Sequence, residues 1–222
     1  MTDTNIKMFR MVHGKYINYT YILSDKENKS VIIDPSWNLE KILRYLEEKS
    51  LQLESILLTH SHIDHTNLVE QLVNLFDVDI YISKVEVDYY HCDYPNLQVI
   101  NDGELLLFGN LKVKCILSPG HTKGSTSYLC SNNLFTGDTI FIEGCGYCKG
   151  NGGSSLDMYH TVKKIKRLDF ETLVWPGHAY KSMPGKTLEY LFDNNIYFII
   201  DKEEDFIKFS DRREYSSLFK FI

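Results

Sequence analysis

Apolar positions along the chain follow two periods. Lys7 to Met11, Ile17 to Leu23 and Val31 to Asp34 are rich in Ile, Tyr and Val and read as strands, with Ser24 to Lys29 as a turn. Leu39, Ile42, Leu43 and Leu46 then fall at i, i+3, i+4 and i+7, which predicts an amphipathic helix over 38–49. A strand at 55–58, a helix at 66–76 with Leu68, Leu72 and Leu75 on one face, a strand at 79–82 and a short helix at 84–91 continue the alternation. Strand patterns return at 97–100, 104–108, 111–117, 126–130 and 133–135, several joined by Asn-Asp-Gly, Gly-Asn or Asn-Asn turns. A helix at 155–168 carries the stripe Leu156, Tyr159, Val162, Ile165 and Leu168. A strand at 172–175 and a helix at 188–193 follow, and the last 30 residues read as one more strand and a charged helix. The alternation runs twice, over 1–95 and 97–200, with no repeat and no low-complexity linker. It predicts a single α/β domain over 1–222, folded as a four-layer αββα sandwich with a short extension at about 185–222.

One polar cluster interrupts this pattern. "LLTHSHIDHTNLV" (57–69) places three of the chain's eight histidines and one aspartate within six positions, where a strand gives way to a helix. That is where α/β folds put their chemistry. Alternation along an extended segment would let His60, His62 and Asp64 converge on one point while His65 faces a second. Later loops add His121 in "SPGHTKGST", Asp138 in "LFTGDTIF" and His178 in "LVWPGHAY", each just past a strand. These residues divide into His60, His62 and His121 for one metal ion and Asp64, His65 and His178 for another, with Asp138 able to give one oxygen to each. A bridging carboxylate suits two ions about 3.5–4 Å apart. Five imidazoles and two carboxylates without thiolate favour two zinc ions and also accommodate iron or manganese. His13, His91 and His160 stand alone and are left outside the set.

Composition narrows the function classes. The chain is 43% hydrophobic and 24% charged, with net charge −6 and no block of Lys or Arg. Nucleic acid and membrane surfaces are therefore not expected partners. The first residues, MTDTNIKMFRMV, lack the charged-then-apolar order of a signal peptide, and no apolar run approaches the roughly 20 residues that cross a bilayer. Five scattered cysteines fit a reducing cytoplasm, and Cys145 and Cys148, a lone C-x-x-C in a Gly-rich loop, read as loop packing.

T-H-x-H-x-D-H, P-G-H-T-x-G-S, T-G-D-T and P-G-H, in that order over about residues 15–195, resemble the metallo-β-lactamase-fold hydrolases. "DTIFIEGCG…MYHTVKKIKRL…LVWPGHAY" looks like their glyoxalase II branch, which cleaves thioesters of glutathione. The resemblance implies seven metal ligands, His60, His62, Asp64, His65, His121, Asp138 and His178, and an aspartate, Asp34, that braces the metal loops. Within that branch Gly-Cys-Gly is usually followed by a basic residue, whereas here Tyr147-Cys148-Lys149 stands, then "GNGG". The C-terminal segment is also shorter than the branch's helical domain. The "GCG-x-C…GG" loop and "PGKTLEYL" tail are similar to the zinc-dependent hydrolases of bacterial polyketide pathways. That likeness implies acyl thioesters, on pantetheine or an acyl carrier protein, as substrates.

The implied reaction is hydrolysis of a thioester by a hydroxide held at the two-metal centre. Asp138 would set the spacing of the ions and Asp64 would orient the nucleophile; these two are the candidate catalytic residues. Tyr147, Lys149 and Tyr180 are the candidate substrate-binding residues. Lys163, Lys164, Lys166 and Arg167 on the 155–168 helix form a candidate basic patch for an acidic carrier. The competing readings are glyoxalase II itself, an iron-dependent sulfur dioxygenase, a β-lactamase (which normally lacks an equivalent of Asp138) and a non-catalytic metal-stabilised binding protein.

Overall fold

The computed structural model describes residues 4–212. Its first half runs β1 (Asn5–His13), β2 (Tyr16–Ser24), β3 (Lys29–Ile33), α1 (Leu39–Glu48), β4 (Gln52–Leu57), α2 (Ile63–Thr66), α3 (Val69–Phe76), β5 (Asp79–Ser83), α4 (Lys84–Tyr90) and β6 (Leu97–Ile100). The second runs β7 (Leu105–Phe108), β8 (Leu111–Leu117), β9 (Thr126–Cys130), β10 (Asn133–Gly137), α5 (Ser155–Ile165), β11 (Leu173–Pro176), β12 (Lys186–Thr187), α6 (Leu188–Asn194), α7 (Ile196–Ile199) and α8 (Glu203–Asp211). The strands form two six-stranded sheets, in the orders β1-β2-β3-β4-β5-β6 and β12-β11-β10-β9-β8-β7. The expected αββα layering is present. The strand at 97–100, read with the second half, instead completes the first sheet by pairing in parallel with β5.

Alternation along the strands makes three apolar layers. Tyr19, Tyr21, Leu23, Val31, Ile33 and Leu57 face Leu111, Val113, Cys115, Tyr128 and Phe135 between the sheets. Their neighbours Ile22, Ile32 and Ile56 face the other way, under α1 and α3. On the far side, Ile116, Leu134 and Val174 pack beneath Met158, Val162 and Ile165 of α5 and Phe206 of α8. Cys145 and Cys148 form no disulfide among the described residues and are buried in this last layer. Among the described residues no helix is long and apolar enough to cross a membrane.

Three local expectations are corrected. The helix expected at 66–76 is shorter: α2 closes at Thr66, where the Asn67 side chain donates to the Ile63 carbonyl at 2.8 Å. Helix α3 then restarts at Val69 and buries Val69, Leu72 and Val73, leaving Leu75 56% exposed. In α5 the buried stripe is Met158, Thr161, Val162 and Ile165, and Leu156 faces solvent; the Ser154 cap, accepting from the Asp157 amide, fixes where the helix begins. Finally, the strand expected in the last 30 residues is not found among the described ones, where 196–199 forms α7 instead. Fully buried Asn195 caps α7 through the Tyr197 amide and donates to the carbonyls of Phe141 and Gly144. Tyr197 and Phe198 are thereby turned into the core as a helical turn. The charged helix is found as α8, and the part of the C-terminal extension beyond residue 212 lies outside the described residues.

Leu72→Ala in the metal-free protein should lower stability by about 2–5 kcal/mol, whereas Leu75→Ala should change it by less than about 0.5 kcal/mol. Denaturant titration with a common m-value checks both.

Candidate metal centre

Every chemically notable loop leaves the same edge of the two sheets. Strands β3, β4 and β5 are mutually parallel, and β10 is parallel to β11, so their C-terminal ends gather together. Asp34 follows β3, His60 and His62 follow β4, Asp138 follows β10 and His178 follows β11. His121 arrives from the loop after β8. Hydrogen bonds from the Tyr19 amide to the Gly177 carbonyl and from the Thr126 amide to the Thr59 carbonyl, both 2.8 Å, hold the two sheets together at this edge. Two glycines permit the close approach. Gly137 has φ +50°, and a Cβ there would land on Thr59 Oγ1; one on Gly177 would lie 2.5 Å from Asp138 Oδ1 and 2.6 Å from His65 Cε1.

The structure brings all seven sequence-identified side chains together, six as two triads and Asp138 between them. The first is His60, His62 and His121, with His62 Nδ1 3.1 Å from His121 Nε2. The second is Asp64, His65 and His178, with Asp64 Oδ2 3.7 Å from His65 Nε2 and 3.4 Å from His178 Nε2. The alternation expected to join Asp64 to His60 and His62 fails, because α2 begins at Ile63 and turns Asp64 toward His178. Asp138 stands between the triads. Its Oδ1 is 3.3 Å from His65 Nε2, and its Oδ2 is 3.2 Å from His178 Nε2 and 3.9 Å from His121 Nε2. Ligand atoms at about 2.0–2.1 Å around a tetrahedral zinc lie about 3.3 Å from one another, so this spacing is that of a coordination shell. Buried His60 Nε2, His65 Nε2 and Asp138 Oδ1 have no hydrogen-bond partner. Buried polar atoms rarely stay unsatisfied, and these three all belong to the triads and the aspartate between them; Glu143 Oε2, in the loop after β10, is a fourth such atom among the described residues. The clusters are compatible with a pair of metal ions.

The outward-facing nitrogens of four of the five rings are engaged. His65 Nδ1 donates to Asp34 Oδ2 at 2.9 Å, His121 Nδ1 to the Tyr147 carbonyl at 2.9 Å, and His178 Nδ1 to the Ile17 carbonyl at 2.6 Å. His60 Nδ1 meets Thr59 Oγ1 at 3.0 Å, and that hydroxyl donates onward to Asp34 Oδ2 at 2.6 Å. At His60 and His121 the bond leaves the inner nitrogen as a lone pair, which is how metal-binding imidazoles are held. Asp34 sits where the sequence resemblance puts a bracing aspartate. Two partners were not foreseen. Asn18, 1% exposed, donates to both the carbonyl and Oδ2 of Asp64 and accepts from the Trp37 indole. Glu86 is wholly buried behind the first triad. An asparagine inside the apolar strand "YINYTYI" is a usable signal; "SKVEVDYY" offers none.

Electrostatics differ between the triads. Burial pushes His60 well below the usual imidazole range, and neighbouring imidazoles push it further. Burial likewise takes His121 down to about 4. Both rings are therefore neutral at pH 7. Burial would also lower His178, but the Asp138 and Asp64 carboxylates outweigh it and raise the ring to about 9. His65 is raised for the same reason. Burial opposes ionisation of Asp64 and Asp138 too, yet His65 and His178 hold both carboxyls below their ordinary values. The carboxylates thus demand positive charge at the second triad, and a cation can take the place of the two ring protons.

The other sequence candidates lie outside the two triads. Tyr147 contributes its carbonyl to His121, and its side chain is half-buried. The Tyr180 ring packs edge-on against Phe141 at 5.0 Å, and Phe141 against His178 at 6.2 Å. Exposed Lys149 meets the Asp211 carbonyl at the end of α8. Of the α5 basic patch, Lys163 and Lys166 pair with Asp201 and Lys164 pairs with Asp102. His13, His91 and His160 are exposed and belong to neither triad.

Comparison with known proteins agrees with this geometry. Residues 14–178 match the model of the metallo-beta-lactamase superfamily. The chain is 43% identical over 218 residues to the probable polyketide biosynthesis zinc-dependent hydrolase BaeB of Bacillus velezensis, covering 97% of each chain. It is 42% identical to the probable polyketide biosynthesis zinc-dependent hydrolase PksB of Bacillus subtilis, covering 93% of this chain and 92% of that one. A crystal structure of a metallo-beta-lactamase from Staphylococcus aureus superposes with a TM-score of 0.85 at 24% identity, over 98% of this chain and 69% of the other, and shares the fold. Two facing sheets, a histidine–aspartate cluster at their common edge and these matches together place the chain in the metallo-β-lactamase superfamily.

Proposed function

We propose that the chain is a two-zinc hydrolase of acyl thioesters, acting on pantetheine- or carrier-bound acyl groups in polyketide biosynthesis. The observation that carries the metal-dependent reading is the set of orphaned buried atoms on His60, His65 and Asp138, enclosed by two triads that share one carboxylate. The zinc and the pathway rest on two relatives, at 43% and 42% identity, named as zinc-dependent hydrolases of polyketide biosynthesis. The donor set itself also accommodates iron or manganese.

His60, His62 and His121 would hold one ion and Asp64, His65 and His178 the other, with Asp138 shared. Bound there, the ions would supply hydroxide at neutral pH and polarise the substrate carbonyl. The protein's own part is orientation. Asn18 fixes Asp64 through two bonds, 2.9 and 3.0 Å, so that this carboxylate is placed to orient the attacking water. Asp34 locks the tautomers of His60 and His65 together. His62 is the exposed member of its triad and marks the open side from which substrate enters. The groups that converge on the centre are imidazoles and carboxylates. A thioester asks least of them, because a thiolate leaves without needing a proton from an acid.

Protein purified without chelator should carry about two metal ions per chain by elemental analysis, as a shared carboxylate implies. Asp138→Ala should lose at least one ion and nearly all turnover, whereas His160→Ala should change neither. One ion or fewer after zinc reconstitution would overturn the two-metal reading.

Asp34→Asn should weaken metal binding or activity by about 10- to 100-fold, since the amide cannot accept every bond that the carboxylate accepts. Zinc titration against a chromophoric chelator measures this.

Acyl-pantetheine thioesters should release free thiol with higher kcat/KM than a glutathione thioester, and no oxygen should be consumed. Equal or better efficiency on the glutathione substrate would return the glyoxalase II reading. Oxygen uptake on a persulfide with thioesters untouched would establish the dioxygenase.

A further inference from the structure

Glu86 lies in the first turn of α4 and is 0% exposed, yet it belongs to neither triad. Its carboxylate joins two loops. Oε1 accepts from the Ser61 amide at 2.9 Å and the Ser61 hydroxyl at 2.7 Å, and Ser61 is the residue between His60 and His62. Oε2 accepts from the Thr122 hydroxyl at 2.9 Å and the Gly124 amide at 2.8 Å, and Thr122 follows His121. The second loop is also seated on the helix start: Ser83 Oγ, the α4 cap, donates to the Gly124 carbonyl at 2.6 Å. A Cβ at Gly124 would collide with the Glu86 amide and lie 2.5 Å from Ser83 Oγ, so only glycine lets this loop come so near. No ion pair reaches Glu86 among the described residues, so its work is done by these four bonds.

The distribution of the bonds is one-sided. All four go to segments carrying His60, His62 and His121, and none goes to Asp64, His65 or His178. Asp34 differs, because it touches Thr59 beside His60 and also His65, and so spans both triads. Only a group that accepts on both oxygens suits this position. A glutamine would set an N–H against the amide of either Ser61 or Gly124.

We propose that Glu86 is a positioning residue for one half of the centre: it holds the His60–His62–His121 triad ready for its ion and leaves the other triad's affinity alone. The inference rests on the two-metal reading above. It makes loading of the two positions separable, with α4 governing only one.

The test uses the full chain, stripped of metal and titrated with zinc against a chromophoric chelator. Two backgrounds isolate the positions: His178→Ala leaves the three-histidine triad, and His121→Ala leaves the other. Adding Glu86→Gln should lower zinc affinity by about 10- to 100-fold in the His178→Ala background. In the His121→Ala background it should change affinity by less than about twofold. Thr122→Val removes one of the four donors and keeps the side chain's shape, so it gives the same contrast at roughly three- to tenfold if Glu86→Gln does not fold. Equal losses in both backgrounds, or none in the first, would overturn the inference. So would a lowered melting temperature of the metal-free variant with no background-dependent change in affinity, since that marks a merely structural carboxylate. A parent protein that binds only one zinc ion would fail the two-metal reading instead, and stoichiometry of the unmutated chain reports that separately.

Discussion

Asp34 is the group on which the geometry of the centre depends. The chain leaves β3 with φ +49°, a left-handed conformation that aspartate tolerates better than most residues. That turn aims the carboxylate across the sheet edge at the next strand's end. There it accepts the Thr59 amide at 2.8 Å, the Thr59 hydroxyl at 2.6 Å and His65 Nδ1 at 2.9 Å. The same hydroxyl meets His60 Nδ1. One buried carboxylate thereby sets the ring orientation of a histidine in each triad. A desolvated carboxylate is tolerated there because three donors replace its water.

The fold's contribution is to deliver loops from two separate sheets to one edge. Parallel pairing of β3 with β4 and of β10 with β11 sends their C-terminal ends the same way. Buried tyrosines stitch the halves together: Tyr21 donates to the Pro176 carbonyl at 2.6 Å and Tyr128 to the Leu58 carbonyl at 2.8 Å. Each hydroxyl lands beside a residue group that carries a histidine. The apolar layer between the sheets and the polar centre at their edge are therefore one construction, since displacement of either sheet would separate Asp138 and His178 from His60 and His65.

Around that edge the outer partners divide their work. Asn18 fixes Asp64, the Ile17 carbonyl fixes His178, Asp34 links His60 with His65, and Glu86 binds the two loops of the three-histidine triad. The two triads also differ in charge. His60 and His121 are neutral through burial, whereas the carboxylates around His65 and His178 keep those rings protonated in the absence of a cation. Negative charge concentrated at one position and neutral imidazoles at the other make the two positions chemically unlike.

Much of this was legible in the chain. Period-two and period-3.6 patterns located nearly every strand and helix, and H-x-H-x-D-H with three later strand-end residues marked the seven side chains that the structure gathers. Those signals are local: they depend on neighbours in sequence, and single residues of a distinctive type at strand ends can be read singly. What stayed hidden depends on contacts between distant segments. Asp64 leaves the line of His60 and His62 because α2 starts at Ile63, which strand alternation does not show. Leu75 faces water because α3 turns Val69, Leu72 and Val73 inward, and 196–199 coils because Asn195 finds partners more than 50 residues away. Glu86 looks like any helical glutamate until Ser61, Thr122 and Gly124 are brought against it. A hydrogen-bond acceptor has no direction in sequence; burial, which removes the competing water, is what decides which donors it serves, and only the tertiary structure supplies burial.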